Sequence, residues 1–125
     1  MWKLVVCLLV MGCEWRVVMP DPVTRFDPPE IYREWYRYAE ECSGLRGTFE
    51  YVTWYHTERM YRPDTGTEVW GMQREPHIIV LVTSQLDNMW LVAHESLHDL
   101  MKDSDRNHKS ELWDVCKLRG DDDPR

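Results

Sequence analysis

The sequence predicts one α+β domain, in which helices flank a small sheet. Two segments with helical periodicity, residues 31–42 and 86–100, enclose a stretch rich in β-branched and aromatic residues. The chain of 125 residues is long enough for one modest core, and its 43% hydrophobic and 30% charged residues are typical of a folded domain. We therefore expect an N-terminal helix, a three-stranded sheet, a second long helix and a short C-terminal helix.

The first residues have the features of a bacterial export signal. Lys3 precedes an apolar run over residues 4–11, which is too short to cross a bilayer. The run ends in Gly12-Cys13, which resembles a lipobox, where the cysteine is lipidated and becomes the mature N-terminus. We predict a signal peptide over residues 1–12 and a lipid anchor on Cys13, which would place the protein in the bacterial cell envelope. The alternative is a buried N-terminal strand, because the run is rich in valine.

Residues 13–29 are predicted to be a tether, because they contain four prolines and show no consistent periodicity. The domain, residues 30–118, then begins with a helix. Its apolar residues recur at helical spacing: Ile31, Trp35, Tyr38 and Cys42. Gly44 is suited to end this helix, since glycine readily adopts the left-handed conformation found at helix C-termini.

Three strands are predicted in the middle of the chain. Residues 48–55 are rich in β-branched and aromatic side chains, and residues 67–73 follow a Pro-Asp-Thr-Gly turn. Residues 77–83 include an unbroken apolar run, as expected of a strand covered on both faces. His77, at the start of the third strand, is interpreted as a surface residue.

The second long helix, with Ser84 as its expected N-cap, carries an H-E-x-x-H motif at residues 94–98. Positions four apart lie on one face of a helix, so His94 and His98 can bind the same metal ion. Glu95 is then placed to hold and deprotonate a water bound to that ion. The alternative is a chance occurrence, which is uncommon in a chain with five histidines. Asp99 is interpreted as an exposed helical carboxylate.

A catalytic zinc site commonly uses three protein ligands and leaves one position to water. His108, ten residues beyond His98 and just past a predicted turn, is the first candidate for the third ligand. Glu111, in a short helix predicted over residues 110–118, is the alternative, and both remain open on the sequence. Two tyrosines, Tyr55 and Tyr61, could supply an oxyanion-stabilising hydroxyl, and the spacing selects neither.

The order of these motifs resembles that of small bacterial lipoproteins with a zincin-like metallopeptidase domain. They carry Cys-Ser-Gly after a Trp-bearing helix, then H-E-x-L-H, a histidine about ten residues later and an aromatic-x-x-Cys. The matching positions here are Trp35, residues 42–44, residues 94–98, His108 and residues 113–116. The resemblance covers about residues 30–117. It implies a minimal zincin-like fold, with Zn²⁺ on His94, His98 and His108, and Glu95 as the catalytic base.

Export also accounts for the cysteines. Cys7 would be removed with the signal peptide and Cys13 acylated, which leaves Cys42 and Cys116 as a pair in an oxidising compartment. We therefore predict a disulfide between them; without export, both are expected to be free thiols. Residues 119–125 are predicted to be a solvated acidic tail.

These features predict a zinc-dependent hydrolase that acts on a peptide or protein substrate. The net charge of -7 argues against a nucleic-acid partner, because phosphate binding depends mainly on Lys and Arg. One alternative is a non-catalytic envelope binding protein in which zinc only stabilises the fold. Another is an aromatic-rich interaction module, in line with the seven tryptophans, in which the motif is accidental and no metal binds.

Overall fold

The computed structural model describes residues 17–102 and 104–120. The predicted signal peptide, Cys13 and the tail from residue 121 onward therefore lie outside the described residues. The fold of the described part is α+β, as predicted. The strands are β1 (Thr24–Phe26), β2 (Thr53–Thr57), β3 (Gly71–Arg74) and β4 (Ile78–Val82). The helices are α1 (Ile31–Ser43), α2 (Met89–Leu100) and α3 (Leu112–Val115). No helix among the described residues is long and apolar enough to cross a membrane.

The four strands form one sheet in the order β1-β2-β4-β3. β2 and β4 are parallel, whereas β1 and β3 each pair antiparallel with their neighbour. The sequence predicts three strands, and the fourth, β1, lies in the stretch assigned to the tether. β1 has only three residues and is followed by two prolines, so no alternating pattern could identify it.

The predicted bounds of the first two strands are wrong, because strands exist only where a partner is available. Phe49–Tyr51 forms a 3₁₀ turn, and β2 begins at Thr53, opposite the first residue of β4. The second predicted strand, residues 67–73, is reduced to Gly71–Arg74, which pairs with β4. The third prediction is confirmed within a residue or two, since β4 is the apolar segment at the centre of the sheet.

α1 ends as predicted but is rotated relative to the expected apolar stripe. Gly44 has a φ of 78° and its N–H donates to the carbonyl of Glu40. Ile31 is 41% exposed, and the buried positions are Tyr32, Tyr36 and Ala39. The two tyrosines can be buried because their hydroxyls find acceptors, the Leu86 carbonyl for Tyr32 and Asp99 for Tyr36.

α2 packs against α1 and against the β3 and β4 strands of the sheet, and it is buried from Leu91 to Leu100. Ser84 is not its N-cap, because Thr83–Gln85 forms a separate 3₁₀ turn. The N-cap is Asn88, whose side-chain oxygen accepts the N–H of Leu91 at 3.0 Å. The C-terminal helix α3 is also shorter than predicted, with four residues.

A disulfide joins Cys42, near the end of α1, to Cys116, directly after α3. The prediction of this pair is confirmed. The bond closes a loop with a sequence separation of 74. By the chain-entropy model, a loop of this length stabilises the fold by about 4 kcal/mol. The hydroxyl of Tyr38 donates to the Cys116 carbonyl at 2.6 Å, which further holds the C-terminal segment on α1.

Candidate metal centre

Three histidines bring their ring nitrogens together beside α2. His94 and His98 lie one turn apart on α2, and His108 lies on the loop that leads to α3. The Nε2 atom of His108 is 2.9 Å from that of His98 and 3.2 Å from that of His94. A tetrahedral zinc ion with Zn–N bonds of about 2.0–2.1 Å would hold two ligand nitrogens about 3.3 Å apart. These three residues, hereafter the metal group, can therefore hold a metal ion.

The imidazole rings are held from behind. The Nδ1–H of His94 donates to the Leu118 carbonyl at 2.7 Å, which leaves its Nε2 lone pair facing the group. The fully buried Trp113 packs on all three rings, with centroid distances of 4.6 to 4.7 Å. Trp90 stacks on His94 from another side at 4.7 Å. The ligand atoms are therefore fixed by packing before any ion binds.

Asp105 shapes the loop that carries His108. Its carboxylate accepts the backbone N–H groups of the two residues after His108 and the indole N–H of Trp113. His108 itself has a φ of 57°, an uncommon backbone conformation for a residue other than glycine. Arg119 donates to the His108 carbonyl at 2.7 Å. These contacts turn the loop back toward α2 and bring the third imidazole into place.

Burial keeps two of the three histidines neutral, as a metal ligand must be. Burial, together with the neighbouring His94 and His108, lowers the pKa of His98 to about 2. Burial also lowers the pKa of His108, against the opposing effect of the Asp105 carboxylate. Both rings therefore offer a lone pair at neutral pH.

Glu95 lies beside the metal group and is 4% exposed. Its carboxylate packs closely on β3, because a Cβ built at Gly71 would lie only 3.1 Å from Glu95 Oε2. Glycine at position 71 is thus what lets the strand approach this side chain. Glu95 is not a member of the metal group, but it lines the same cleft as the three histidines.

The cleft has two parts, which meet at the metal group and Glu95. The larger part, of about 590 Å³, has a polar wall that includes Arg62, Gln73 and Arg106. The smaller part, of about 400 Å³, has an aromatic wall that includes Trp70 and Trp90. The residues that line both parts are Val69, Gly71, His94, Glu95 and His108. Both parts therefore border the metal group.

The other residues singled out in the sequence lie apart from this group. Glu111, the alternative third ligand, is exposed at the N-cap of α3 and is not among the residues that can hold the ion. Of the two candidates, only His108 lies with His94 and His98. Tyr55 and Tyr61 line neither part of the cleft.

The interpretation of Asp99 as an exposed carboxylate is wrong, since it is 1% exposed. Asp99 accepts hydrogen bonds from the Tyr36 hydroxyl at 3.2 Å, Gln73 Nε2 at 3.3 Å and His77 Nδ1 at 3.0 Å. We call these four residues the Asp99 cluster. His77 is accordingly not a plain surface residue, although its side chain is 31% exposed. Burial and the Asp99 charge both raise the pKa of Tyr36.

The sequence gives no sign of Gln73, which reaches Asp99 from β3 across 26 residues of chain. One signal for the cluster existed in Tyr32 and Tyr36, because hydroxyls buried on one face of a helix require acceptors. That signal shows that the hydroxyls need acceptors, but it does not identify Asp99 as one of them.

Comparisons with sequence families, curated proteins and solved structures find no match for this chain. The chemistry of the site therefore follows from its own contacts. Three imidazoles converge on one point, a buried carboxylate lies beside them, and both border a cleft. This arrangement can hold a metal ion next to a proton acceptor.

Proposed function

We propose that the protein is a zinc-dependent hydrolase with a zincin-like site, which cleaves peptide bonds in the bacterial cell envelope. The observation that carries the proposal is the convergence of three imidazole Nε2 atoms in a cleft that Glu95 also lines. Among the described residues the metal group has three members, the number usual for a catalytic zinc site, which leaves a coordination position for water.

Zinc is the ion that this donor set fits best. All three donors are imidazole nitrogens, whereas magnesium and calcium prefer oxygen ligands. Copper and nickel also bind imidazole, but a three-histidine site with one open position is characteristic of catalytic zinc. When bound, such an ion polarises a carbonyl group and lowers the pKa of a coordinated water.

Glu95 is proposed as the general base. Its carboxylate takes a proton from the attacking water and passes it to the nitrogen of the leaving amine. The position of Glu95 supports this role, since the residue follows His94 directly on α2 and is 4% exposed. The close approach of Gly71 restricts where its carboxylate can lie, so the proton acceptor is held in place.

β3 is proposed to hold the substrate backbone. It is an edge strand, paired only with β4 among the described strands, and its first residue lines both parts of the cleft. Val82 N–H donates to the Trp70 carbonyl, so the alternation of an antiparallel ladder turns the backbone groups of Gly71 away from β4. A peptide can add to such an edge as a further strand.

The disulfide supports a location outside the cytoplasm. Disulfides persist in oxidising compartments and are rare in reducing ones, so Cys42–Cys116 is consistent with export. We propose that the chain is cleaved before Cys13 and anchored there by lipid, as the sequence predicts. Cys13→Ser should then remain uncleaved and take up no radiolabelled lipid, whereas an intact Met1 on the mature wild-type protein would contradict the anchor.

The catalytic role is tested with Glu95→Gln, which keeps the size of the side chain but removes the base. Zinc content and thermal stability should remain close to those of the parent protein, because Glu95 is not a ligand. Cleavage of a broad peptide library should fall by at least about a hundredfold, the usual contribution of a general base. Glu111→Gln, at an exposed carboxylate near the site, is the matched control and should retain full activity.

The competing function is a binding protein in which zinc only stabilises the fold. It would be favoured if the parent protein held zinc but cleaved no peptide, and if its cobalt-substituted form showed no exchangeable water. Absence of any bound metal would instead favour the interaction module. The proposed hydrolase requires both a metal and zinc-dependent cleavage.

A further inference from the structure

Two buried polar atoms near the metal group have no hydrogen-bond partner among the described residues. They are Nδ1 of His98 and Oε1 of Gln73. The other two such atoms in the described chain are indole nitrogens, of Trp54 and Trp90, which can only donate. Gln73 Oε1 is therefore the one acceptor in this set, and His98 Nδ1 is the atom whose role depends on the metal.

Metal binding makes His98 Nδ1 a donor. The Nε2 atom of His98 faces the metal group, 2.9 Å from Nε2 of His108, so a bound ion leaves the ring proton on Nδ1. His94 shows how such a proton is normally used, because its Nδ1–H donates to the Leu118 carbonyl. His98 requires an equivalent acceptor, since a buried N–H is rarely left unpaired.

Gln73 presents an acceptor in a fixed orientation. Its Nε2 donates to Glu75 Oε2 at 3.1 Å and to Asp99 Oδ1 at 3.3 Å. The opposite amide orientation would face two carboxylates with an oxygen, so these contacts assign Oε1 as the atom directed away from them. The Gln73 side chain is 7% exposed, reaches α2 at the residue directly after His98, and lines the same cleft as His98.

We propose that Gln73 is a positioning residue of the metal centre, whose Oε1 accepts the Nδ1 hydrogen of His98 through one buried water, since the two atoms form no direct hydrogen bond with each other. The inference rests on the metal binding of the proposed function. Direct recognition of substrate by Gln73 is disfavoured, because its Oε1 is buried away from solvent. Glu75 and Asp99, which accept from Gln73 Nε2, hold this amide in the orientation that presents Oε1.

The test is the zinc affinity of Gln73→Met, measured by competition with a chelator in the purified full-length protein. Methionine has a similar volume but cannot accept the hydrogen bond, so zinc binding should weaken by about 10- to 100-fold, as is typical when the partner of a ligand is lost. Tyr36→Phe is the matched control, because it removes another partner of Asp99 and leaves Gln73 in place. Its zinc affinity should stay within about twofold of wild type, below the range expected for a lost ligand partner.

Nitrogen-15 NMR of the zinc-loaded wild type gives a second measurement that does not depend on the variant folding. His98 should show a slowly exchanging Nδ1–H signal, which Gln73→Met should lose while the His94 signal remains. Unchanged zinc affinity in Gln73→Met, or a rapidly exchanging His98 Nδ1–H in wild type, would overturn the inference alone. A wild-type protein that binds no zinc would overturn the proposed function as well.

Discussion

His98 and Asp99 are neighbours on α2, yet they belong to two polar clusters of opposite construction. Asp99 is an acceptor surrounded by donors, which Tyr36, Gln73 and His77 bring from α1, β3 and the turn before β4. The metal group instead brings three like nitrogen atoms within 4.8 Å of one another. Burial lowers the pKa of both His98 and His108, so both of these rings can offer a lone pair to a cation.

This difference separates a structural cluster from a binding site. Buried polar groups are almost always paired, and Asp99 satisfies that rule within the protein through its three donors. In the metal group, Nε2 of His98 and Nε2 of His94 instead face Nε2 of His108 at 2.9 and 3.2 Å, two contacts that a bound cation would replace. Burial alone does not distinguish the clusters, since His98 is 8% exposed and Asp99 is 1% exposed. What identifies the binding site is the kind of atoms that converge. Around Asp99 an acceptor meets donors, whereas the metal group brings together three atoms of the same kind.

The largest expected effect is on metal content, and adjacent substitutions on α2 should separate the clusters. His98→Ala removes a ligand and should reduce zinc from one ion per chain to none, as measured by elemental analysis of the purified protein. Asp99→Asn, at the next position, keeps the shape of the Asp99 side chain and should retain one ion. At free zinc 1,000-fold above the dissociation constant, the wild type should gain about 4 kcal/mol of stability that His98→Ala lacks.

His108→Ala and Glu111→Ala complete this test, because they compare the two candidates for the third ligand. His108→Ala should weaken zinc retention severely, whereas Glu111→Ala should leave it unchanged. The opposite result would show that Glu111, and not His108, is the third ligand. The comparison between the metal group and the Asp99 cluster would then fail.

The second effect is on the stability of the metal-free protein, for which Asp99 should matter more than His98. Asp99→Ala removes the acceptor of three donors and leaves the buried Tyr36 hydroxyl unpaired, which should cost about 3 kcal/mol. His77→Ala, at the partly exposed end of the cluster, should cost about 1 kcal/mol. Denaturant unfolding in the presence of a chelator measures both. Equal losses for the two variants would mean that Asp99 is not the centre of the cluster.

The sequence predicts the metal group far better than the Asp99 cluster, and the reason is distance along the chain. The spacing of His94 and His98 follows from helix geometry, and His108 lies only ten residues further on. The contact between Tyr36 and Asp99 spans 63 residues, so no local pattern encodes it. Asp99 was accordingly interpreted as exposed, although it is the most buried carboxylate described.

The fold shows the same division between local and distant information. Gly44, α1 and the apolar strand β4 are encoded by nearby residues and were predicted with small errors. β1 and the start of β2 depend on which segment pairs with them, and that choice is made by the whole sheet. The disulfide was predictable despite its long range, because the predicted export would leave only two cysteines to pair.

A third effect, smaller than that of Asp99→Ala, is the pH dependence of the metal-free protein, which concerns the metal group. The pKa of His98 is about 2 in the folded chain, against a usual value of about 6.5 in an unfolded one. Below pH 6.5 the unfolded chain therefore binds a proton that the folded chain excludes, so stability is full above pH 6.5 and falls as the pH is lowered. At pH 5.5 the loss from one such histidine is about 1.4 kcal/mol.

Denaturant unfolding at pH 7.5 and 5.5 measures this loss, and His98→Gln should reduce it by that amount. An unchanged pH dependence in His98→Gln would show that His98 is not held neutral by the fold.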